Sequence, residues 1–341
     1  METAVIPSPN STAPVLFPDT AGHRNDKVRK VRKVRKVMKI TSTLGLLLSA
    51  LTLGFHALAA YALTRPIVSP LSSNPLEAID TPYVEVQFPS TNGKTVLEGW
   101  YIPAWESVST VIFSHGYGAN REESWVPIYD LAKAAHMQNY NVLMFDYGFV
   151  QPEHRFTGGV QETRELLGAV EFAKQQGAEH IYIWGFSMGA GTALQAALVS
   201  PDIDGMILDS TFLLSPDTLY HNIHFFTGLP RFPSVPLLQL LFPLVSGGAR
   251  MQDIPYDTIA RTQYDIPIYM VHGQLDTKAP FEVAQSIAHN QSSHPLSDFW
   301  LLPDGQHELL YIVNRKQYLT NTLAFLNKVS QFSQSDALAM H

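Results

Sequence analysis

Hydrophobic and polar residues follow successive patterns along the chain. Residues 1–23 are rich in Pro, Ser and Thr with little apolar periodicity, which is typical of a disordered leader. A Val-Arg-Lys triplet then occurs three times over 28–36, and its three-residue period builds no apolar helix face. Residues 40–64 contain no Asp, Glu, Lys or Arg and are dominated by Leu, Ala and Gly. The pattern therefore separates a polar N-terminal stretch from a long apolar run.

The apolar run is long enough to cross a membrane. As a helix, residues 40–64 would extend ~36 Å, against a hydrocarbon core of ~30 Å. Nine of the 23 Lys and Arg residues lie at 24–39, directly before the run. By the positive-inside rule, they place the N-terminus in the cytoplasm and residues 66–341 outside. We therefore predict a disordered basic cytoplasmic tail over 1–39 and a single-pass signal anchor in the cell membrane over 40–64.

Other interpretations of this region stay open. Ala57-Leu58-Ala59 offers a small-residue cleavage site, so the run also fits a cleaved signal peptide. A buried core helix is a further alternative. The basic block itself is interpreted as a charged flank of the membrane segment, with a nucleic-acid or lipid-binding patch as its alternative.

The rest of the chain alternates between strand and helix patterns. Four prolines among Ser and Asn predict a linker over 65–82, followed by a domain over 83–332. Strands are predicted at 83–88, 96–102, 111–114, 142–146, 181–186, 205–209, 268–272 and 298–302, and helices at 122–138, 161–176, 188–199, 281–289 and 309–329. This order predicts an α/β fold, with a mostly parallel eight-stranded sheet, helices on both faces and an antiparallel hairpin at the start.

Composition and charge narrow the function classes. A hydrophobic content of 45% with 18 Phe, 14 Tyr and 5 Trp excludes disorder as a whole, and the absence of Cys excludes disulfides, thiolate metal sites and cysteine nucleophiles. Ten of the 23 basic residues precede Pro66, so residues 66–341 hold 13 basic and 27 acidic residues, a formal charge of −14. Such a body repels phosphate backbones, so no nucleic-acid partner is expected. No phosphate loop, HExxH motif or dinucleotide fingerprint occurs, so neither a cofactor nor a metal is expected.

The sharpest chemical signal is Gly-Phe-Ser-Met-Gly at 185–189. It follows a predicted strand and precedes a helix rich in small residues. In that context a G-x-S-x-G sequence indicates a nucleophile elbow, a strained turn that exposes a serine. Ser187 is the predicted catalytic nucleophile, and the alternative is a structural turn serine.

A serine hydroxyl needs a base, and the base needs an orienting acid. In elbow enzymes the chain order is Ser, then Asp or Glu, then His. Asp276 follows the strand at 268–272, and His307 follows the last predicted strand, so we predict Asp276 as the acid and His307 as the base. Asp209, which also ends a strand, and Asp304 remain competing acids. His115 and His272 are interpreted as packing or turn residues.

The oxyanion of a tetrahedral intermediate requires preorganised donors. One predicted donor is the backbone N–H of Met188, directly after the nucleophile. The other is the backbone N–H of Tyr117, in the glycine-containing loop His-Gly-Tyr-Gly at 115–118. A plain glycine turn is the alternative for this loop.

These ordered motifs give the chain a family resemblance. The stretches 114–118, 142–147, 185–189, 272–276 and 305–307 resemble the α/β-hydrolase superfamily, and more narrowly membrane-anchored bacterial hydrolases related to the serine aminopeptidase and acyl-hydrolase groups. The resemblance covers about residues 83–330 and implies a catalytic triad without a cofactor. After 146–147 many relatives carry Arg-Gly-x-Gly, whereas this chain has Gly-Phe-Val-Gln-Pro at 148–152.

The substrate is less specified than the chemistry. Nearly sixty residues separate the strands at 205–209 and 268–272, which predicts an inserted cap over about 212–262. Its apolar sequence fits helices packed on the body, or an acyl-binding or membrane-skimming lid.

We predict hydrolysis of a carboxylic ester, less readily an amide, through an acyl-enzyme on Ser187. The alternatives are a peptidase acting on short peptides and a catalytically inactive surface binding module. The expected partners are a small ester or peptide substrate and, through residues 40–64, the membrane, with no obligate protein partner.

Overall fold

The computed structural model describes residues 20–123 and 125–339, and the side chains of 28–123 and 125–332. The described chain divides between Phe55 and His56 into two compact units. Helix α1 spans Thr20–Leu63. The predicted disordered tail thus differs from the structure over 20–39, where the many Lys and Arg residues favour helix and no Pro interrupts it. Residues 1–19 lie outside the described residues.

The second unit is built on one eight-stranded sheet. Its strands are β1 (Val84–Pro89), β2 (Val96–Ile102), β3 (Ser109–Ser114), β4 (Asn141–Phe145), β5 (His180–Phe186), β6 (Gly205–Asp209), β7 (Ile268–Gly273) and β8 (Asp298–Leu302). They lie in the order β1-β2-β4-β3-β5-β6-β7-β8. Strand β2 is antiparallel to both neighbours, and all other pairs are parallel. The predicted mostly parallel sheet with an initial hairpin is confirmed.

Helices cover both faces of the sheet. They are α2 (Pro75–Ile79), α3 (Ile128–Met137), α4 (Val160–Gln175), α5 (Met188–Ala197), α6 (Pro216–Thr227), α7 (Arg231–Val245), α8 (Tyr256–Ile259), α9 (Phe281–Gln291) and α10 (Leu310–Ala339). Helices α4, α5 and α9 contribute to one hydrophobic cluster, and α3 and α10 to another. Along β3, Ile112 enters the first cluster while Val111 and Phe113 enter the second. Every residue of β3 through β7 is buried apart from His180, as expected of strands covered on both faces.

Helix α3 begins later than the sequence predicted. The helix starts at Ile128 rather than at residue 122, directly after Pro127. The preceding turns instead direct Arg121 toward β4, where its backbone N–H and its guanidinium donate to the Asp146 carboxylate at 2.6 and 3.0 Å. The polar residues before Pro127 are therefore held by tertiary contacts that helical periodicity does not reveal.

The predicted linker at 65–82 is a packed part of the second unit. The backbone N–H groups of Ser72 and Ser73 each donate to the Glu122 carboxylate at 2.7 Å. Asn74 then caps α2 by accepting from the N–H of Glu77 at 3.0 Å. This segment differs from the predicted linker because its polar groups find fixed partners in the domain.

The last two turns of α1 also belong to the second unit. Ala60 and Thr64 are fully buried. The Thr64 carbonyl accepts from the N–H of Phe156 at 3.0 Å, and the Leu63 carbonyl accepts from the Tyr117 hydroxyl at 2.9 Å. The compact unit therefore begins at His56 rather than at residue 83, because the end of α1 is buried in it and hydrogen-bonded to it.

The stretch between β6 and β7 is helical. It contains α6, α7, a short 3-10 turn at Met251–Asp253 and α8. Ser215 caps α6 by accepting from the N–H of Thr218 at 3.0 Å, and Pro216 occupies the first helical position. Leu238 and Phe242 of α7 are buried against the body. We refer to α6, α7 and α8 as the cap.

Candidate active site

Ser187 lies in the turn between β5 and α5. Its φ of +49° and ψ of −114° are sparsely populated for a residue with a side chain. The turn is held on both sides, because the Ser187 N–H donates to the Asp209 carbonyl at 2.9 Å and its carbonyl accepts from the N–H of Phe212 at 3.0 Å. The geometry is that of a nucleophile elbow, which projects the hydroxyl beyond the sheet edge.

The flanking glycines are explained by close backbone contacts. A Cβ atom on Gly189 would lie 1.9 Å from the Ser114 carbonyl oxygen, and one on Gly185 would lie 2.7 Å from the Ala190 Cα. Any side chain at these positions would push the end of β3, or the start of α5, away from the serine.

Three side chains form a hydrogen-bonded chain at the C-terminal edge of the sheet. The Ser187 Oγ lies 2.8 Å from His307 Nε2, and His307 Nδ1 lies 2.6 Å from Asp276 Oδ2. With Nδ1 protonated and donating to the carboxylate, Nε2 is left to accept the serine proton. The structure thus brings together the three residues predicted as nucleophile, base and acid.

The Asp276 carboxylate is fixed from its other side. Its Oδ1 accepts the backbone N–H groups of Lys278 and Ala279 at 2.8 and 2.7 Å. Burial alone would raise the pKa of Asp276. The hydrogen bond to His307, the charge of that histidine and the hydrogen bond from the Ala279 N–H lower the pKa, and together they outweigh burial. The net pKa lies below the usual range, so the group is a carboxylate at neutral pH.

Loop packing brings Asp276 and His307 to the same place. They follow the neighbouring parallel strands β7 and β8, whose carboxyl ends share one edge. A Cβ atom on Gly273 would lie 2.3 Å from the Gly305 carbonyl oxygen, which also accepts from the N–H of Leu275 at 3.0 Å. The two loops cross in direct backbone contact.

The competing acids have other surroundings. Asp209 accepts from the Tyr318 hydroxyl at 2.7 Å and from Ser210 Oγ at 2.8 Å, and burial raises its pKa to about 7. Asp304 is exposed. Neither hydrogen-bonds to His307 within the described residues.

The other two histidines singled out in the sequence have structural contacts. His272 Nε2 lies 3.0 Å from the Ala279 carbonyl oxygen. His115 Nε2 accepts from the N–H of Tyr147 at 3.0 Å, and burial lowers the pKa of His115 to about 4. His115 therefore holds the loop after β3 as a neutral ring.

The predicted oxyanion loop lies against the elbow. Ser114 Oγ donates to the Gly189 carbonyl at 3.0 Å, and a Cβ atom on Gly116 would lie 3.5 Å from the Ser187 Cβ. Within the described part of the chain, the backbone N–H groups of Tyr117 and Met188 donate to no protein acceptor. Both donors are therefore available to a substrate oxygen.

Two buried glutamates lie beside the site at positions that no sequence motif marks. Glu123 accepts from the Gly116 N–H at 2.5 Å, and Glu308 Oε2 lies 3.8 Å from His307 Nε2. Burial raises the pKa of each glutamate to about 8; the charge of Glu123 adds to the effect on Glu308. Each carboxyl therefore favours its protonated form near neutral pH, which limits the negative charge beside Ser187 and His307.

The raised pKa of Glu308 predicts a pH-dependent stability. Between its usual pKa of 4.5 and the native value of about 8, the folded protein holds a proton that the unfolded chain has lost, so stability falls as pH rises through this window. Replacing Glu308 by Gln should reduce the loss of unfolding free energy between pH 5 and pH 8 by on the order of 1 kcal/mol or more. Urea unfolding followed by tryptophan fluorescence measures this difference.

The exposed Glu153 provides the control for this prediction. Glu153→Gln should keep the wild-type loss of stability between the two pH values. A Glu308→Gln protein with an unchanged pH slope would contradict the prediction.

A cavity of about 630 Å³ adjoins the serine. Ser187, His307 and Glu308 line it at the sheet edge. Its other walls are mainly apolar side chains, among them Leu63, Ile67, Phe156, Leu214 and Phe226. The cavity has the size and the mainly apolar lining of a small-molecule site.

Comparisons with known proteins agree with this architecture. The sequence profile of the family described as alpha/beta hydrolase fold matches residues 109–236. The esterase Pf2001 of Pyrococcus furiosus superposes on 79% of this chain and 98% of its own, with a TM-score of 0.62 and 22% sequence identity. Alpha/beta hydrolase domain-containing protein 10 from mouse covers 72% of this chain and 99% of its own, with a TM-score of 0.55 and 15% identity. The alpha/beta hydrolase GrgF from Penicillium sp. sh18 covers 72% of this chain and 98% of its own, with a TM-score of 0.53 and 18% identity.

The chain therefore has the α/β-hydrolase fold, and the predicted resemblance to that superfamily is confirmed. No curated protein matches it in sequence. The narrower resemblance to membrane-anchored members stays a prediction. The profile match supports the predicted hydrolase class.

Proposed function

We propose that this protein is a serine hydrolase that cleaves a carboxylic ester through an acyl-enzyme on Ser187. The observation that carries the proposal is the hydrogen-bonded chain from Ser187 through His307 to Asp276, at 2.8 and 2.6 Å, on the wall of an apolar cavity. The name of the Pyrococcus furiosus neighbour, an esterase, supports the same reaction class.

The proposed reaction has two halves. His307 Nε2 takes the hydroxyl proton as Ser187 Oγ attacks the ester carbonyl, and the oxyanion accepts from the N–H groups of Met188 and Tyr117. The imidazolium then protonates the departing alcohol oxygen as the ester bond breaks. In the second half, His307 takes a proton from water, the hydroxide attacks the acyl carbon, and the acid leaves as Ser187 recovers its proton. Asp276 keeps the imidazole in the required tautomer throughout.

An ester fits the cavity better than a short peptide. Binding a peptide N-terminus requires a carboxylate for the α-ammonium group. The acidic residue lining the described cavity is Glu308, and burial keeps it protonated near neutral pH. Apolar walls with a neutral carboxyl favour an acyl chain over a charged amine.

The test uses the full chain in detergent with three reagents. We expect a fluorophosphonate probe to add one label to the wild type and none to Ser187→Ala, with Ser292→Ala as the exposed-serine control. p-Nitrophenyl butyrate should be hydrolysed, whereas aminoacyl p-nitroanilides should not. Turnover of the anilides alone would favour the peptidase, and a folded, unlabelled wild type would favour a binding protein.

We also propose that residues 40–64 anchor the protein with the catalytic unit outside the cell. Within the described residues, Val28–Leu63 is long and apolar enough to span a membrane by length and composition, a criterion that signal sequences also meet. The basic block before the apolar run supports a cytoplasmic N-terminus.

The absence of cysteine makes this topology directly testable. Lys33 and Lys94 are both exposed and lie on opposite sides of the apolar run. In intact cells a membrane-impermeant maleimide should label Lys94→Cys and leave Lys33→Cys unlabelled until the cells are lysed. The reverse pattern would contradict the orientation, and a shortened mature chain lacking residue 33 would indicate cleavage.

A further inference from the structure

The apolar run ends in the wall of the catalytic cavity. Ala62 and Leu63, the last residues of α1, line the cavity together with Ser187. Tyr117, whose N–H we assign to the oxyanion hole, donates its hydroxyl to the Leu63 carbonyl at 2.9 Å. The last residues of the predicted span therefore form part of the active-site cavity.

The residues at this helix end are typical of a membrane interface. The Arg65 guanidinium lies 3.9 Å from the centre of the Tyr61 ring, and Arg65 itself lines the cavity. Tyrosine and arginine concentrate at the level of lipid headgroups, where one end of the side chain is apolar and the other is hydrated. The pair therefore suits a position at the level of the headgroups.

The outer surface of the cap is apolar to an unusual degree. Phe225, Phe226, Phe232, Leu240 and Leu244 of α6 and α7 are between 55% and 78% exposed. No Asp, Glu, Lys or Arg occurs from residue 232 to 249. A cap that faced only water would carry charged residues on this side, whereas a surface lying in lipid would not.

The apolar surface is continuous with the mouth of the cavity. Phe226 belongs to both, and Ile67, which is 96% exposed, also lines the cavity. Lys278 lines the same cavity and provides a positive charge for an anionic headgroup. A molecule entering from the bilayer would thus meet apolar side chains from the surface to the serine.

From these observations we propose that the cap rests in the membrane interface and that the cavity takes its ester from the bilayer, as the acyl chain of a lipid. The inference rests on the proposed ester hydrolysis at Ser187. The acyl carbon is transferred from the lipid oxygen to Ser187 Oγ, the lipid oxygen gains a proton from His307, and water releases a free fatty acid.

The experiment compares two substrates for the full chain reconstituted in vesicles of phosphatidylglycerol and phosphatidylethanolamine. One is p-nitrophenyl butyrate, and the other is the vesicle lipid itself, followed by mass spectrometry of released fatty acid. The test variant Leu240→Ser/Leu244→Ser changes two exposed residues that do not line the cavity. The matched control, Met137→Ser/Val199→Ser, changes residues that are 73% and 68% exposed outside the cap.

We expect the cap variant to release fatty acid at least about tenfold more slowly. Each leucine side chain gains free energy when it leaves water for the lipid, and the serine that replaces it does not. Its turnover of the butyrate ester should stay within twofold, which also shows that it is folded. The control should keep both activities.

Three results would overturn the inference. Butyrate hydrolysis without fatty-acid release by the wild type would leave the esterase intact and remove the lipid substrate. Equal fatty-acid release by wild type and cap variant would remove the role of the cap surface. A dimer in detergent that Leu240→Ser/Leu244→Ser converts to a monomer would assign the surface to a second copy of this chain. Failure of both substrates and of fluorophosphonate labelling would instead refute the proposed function itself.

Discussion

Replacing Ser187 by Ala is expected to lower kcat/KM for p-nitrophenyl butyrate by at least ~10⁴-fold, or more than ~5 kcal/mol of transition-state stabilisation. The reason is that the hydroxyl is the only protein group in the proposed mechanism that forms a bond to the acyl carbon. The Oγ sits 2.8 Å from its base, so its loss removes the covalent route rather than weakening it. Initial rates at pH 7 measure the effect.

The same experiment tests whether the three residues act as one unit. The double variant Ser187→Ala/His307→Ala should be no slower than Ser187→Ala alone, because a base without a nucleophile contributes nothing further. Exposed Ser292 supplies the control, and Ser292→Ala should stay within twofold of wild type. More than a tenth of wild-type activity in a homogeneous, folded Ser187→Ala protein would refute the nucleophile assignment.

The positions of the three residues were predictable because each signal is local. Ser187 follows an apolar run and precedes small residues, and Asp276 and His307 each follow a strand within a few residues. In a parallel sheet such positions meet at one edge. Strand order alone therefore brings them together, without knowledge of any long-range side-chain contact.

The two buried glutamates had no comparable signal. Glu123 and Glu308 are far apart in sequence, and in the sequence each resembles a surface glutamate. They become buried only because the turn after Gly118 packs against the loop after β8 in the folded protein. A raised pKa arises from tertiary burial, which a run of residue types does not encode.

The packed end of α1 and the segment after it were missed for a related reason. Residues that favour lipid also favour a protein interior, so the apolar run did not show that Ala60 is buried in the domain. Likewise, the serines and prolines of 65–82 have the composition of a linker. The hydrogen bonds of Ser72 and Ser73 to Glu122 depend on a partner about fifty residues away.

One residue connects the two parts of the proposed mechanism. The Tyr117 backbone N–H is assigned to the oxyanion hole, while its hydroxyl holds the carbonyl of Leu63. The same side chain packs edge-on against Phe156, whose N–H donates to Thr64. In the proposed mechanism, the end of the predicted anchor would thus help to position the oxyanion loop, and removing residues 56–65 is expected to lower catalysis.

Replacing Asp276 by Asn is expected to lower kcat by about 10⁴-fold, with little effect on folding. The surroundings of the side chain decide how the amide is oriented. Two backbone N–H groups, from Lys278 and Ala279, point at Oδ1 and require an oxygen there. The NH₂ group must therefore take the Oδ2 position and donate to His307 Nδ1, which leaves the proton on Nε2, where it faces Ser187 and blocks proton transfer.

Asp209→Asn provides the matched comparison, because Asp209 was the rival acid and is equally buried. Its oxygens accept from Tyr318 and Ser210 rather than from His307, and its pKa of about 7 leaves it partly protonated already. We expect kcat to fall less than about tenfold, since an amide replaces a protonated carboxyl with similar shape and hydrogen-bonding capacity. Steady-state kinetics of both proteins, with thermal unfolding as the check on folding, separate the two roles. Equal losses of kcat in the two variants would contradict the assignment of Asp276 as the residue that orients His307.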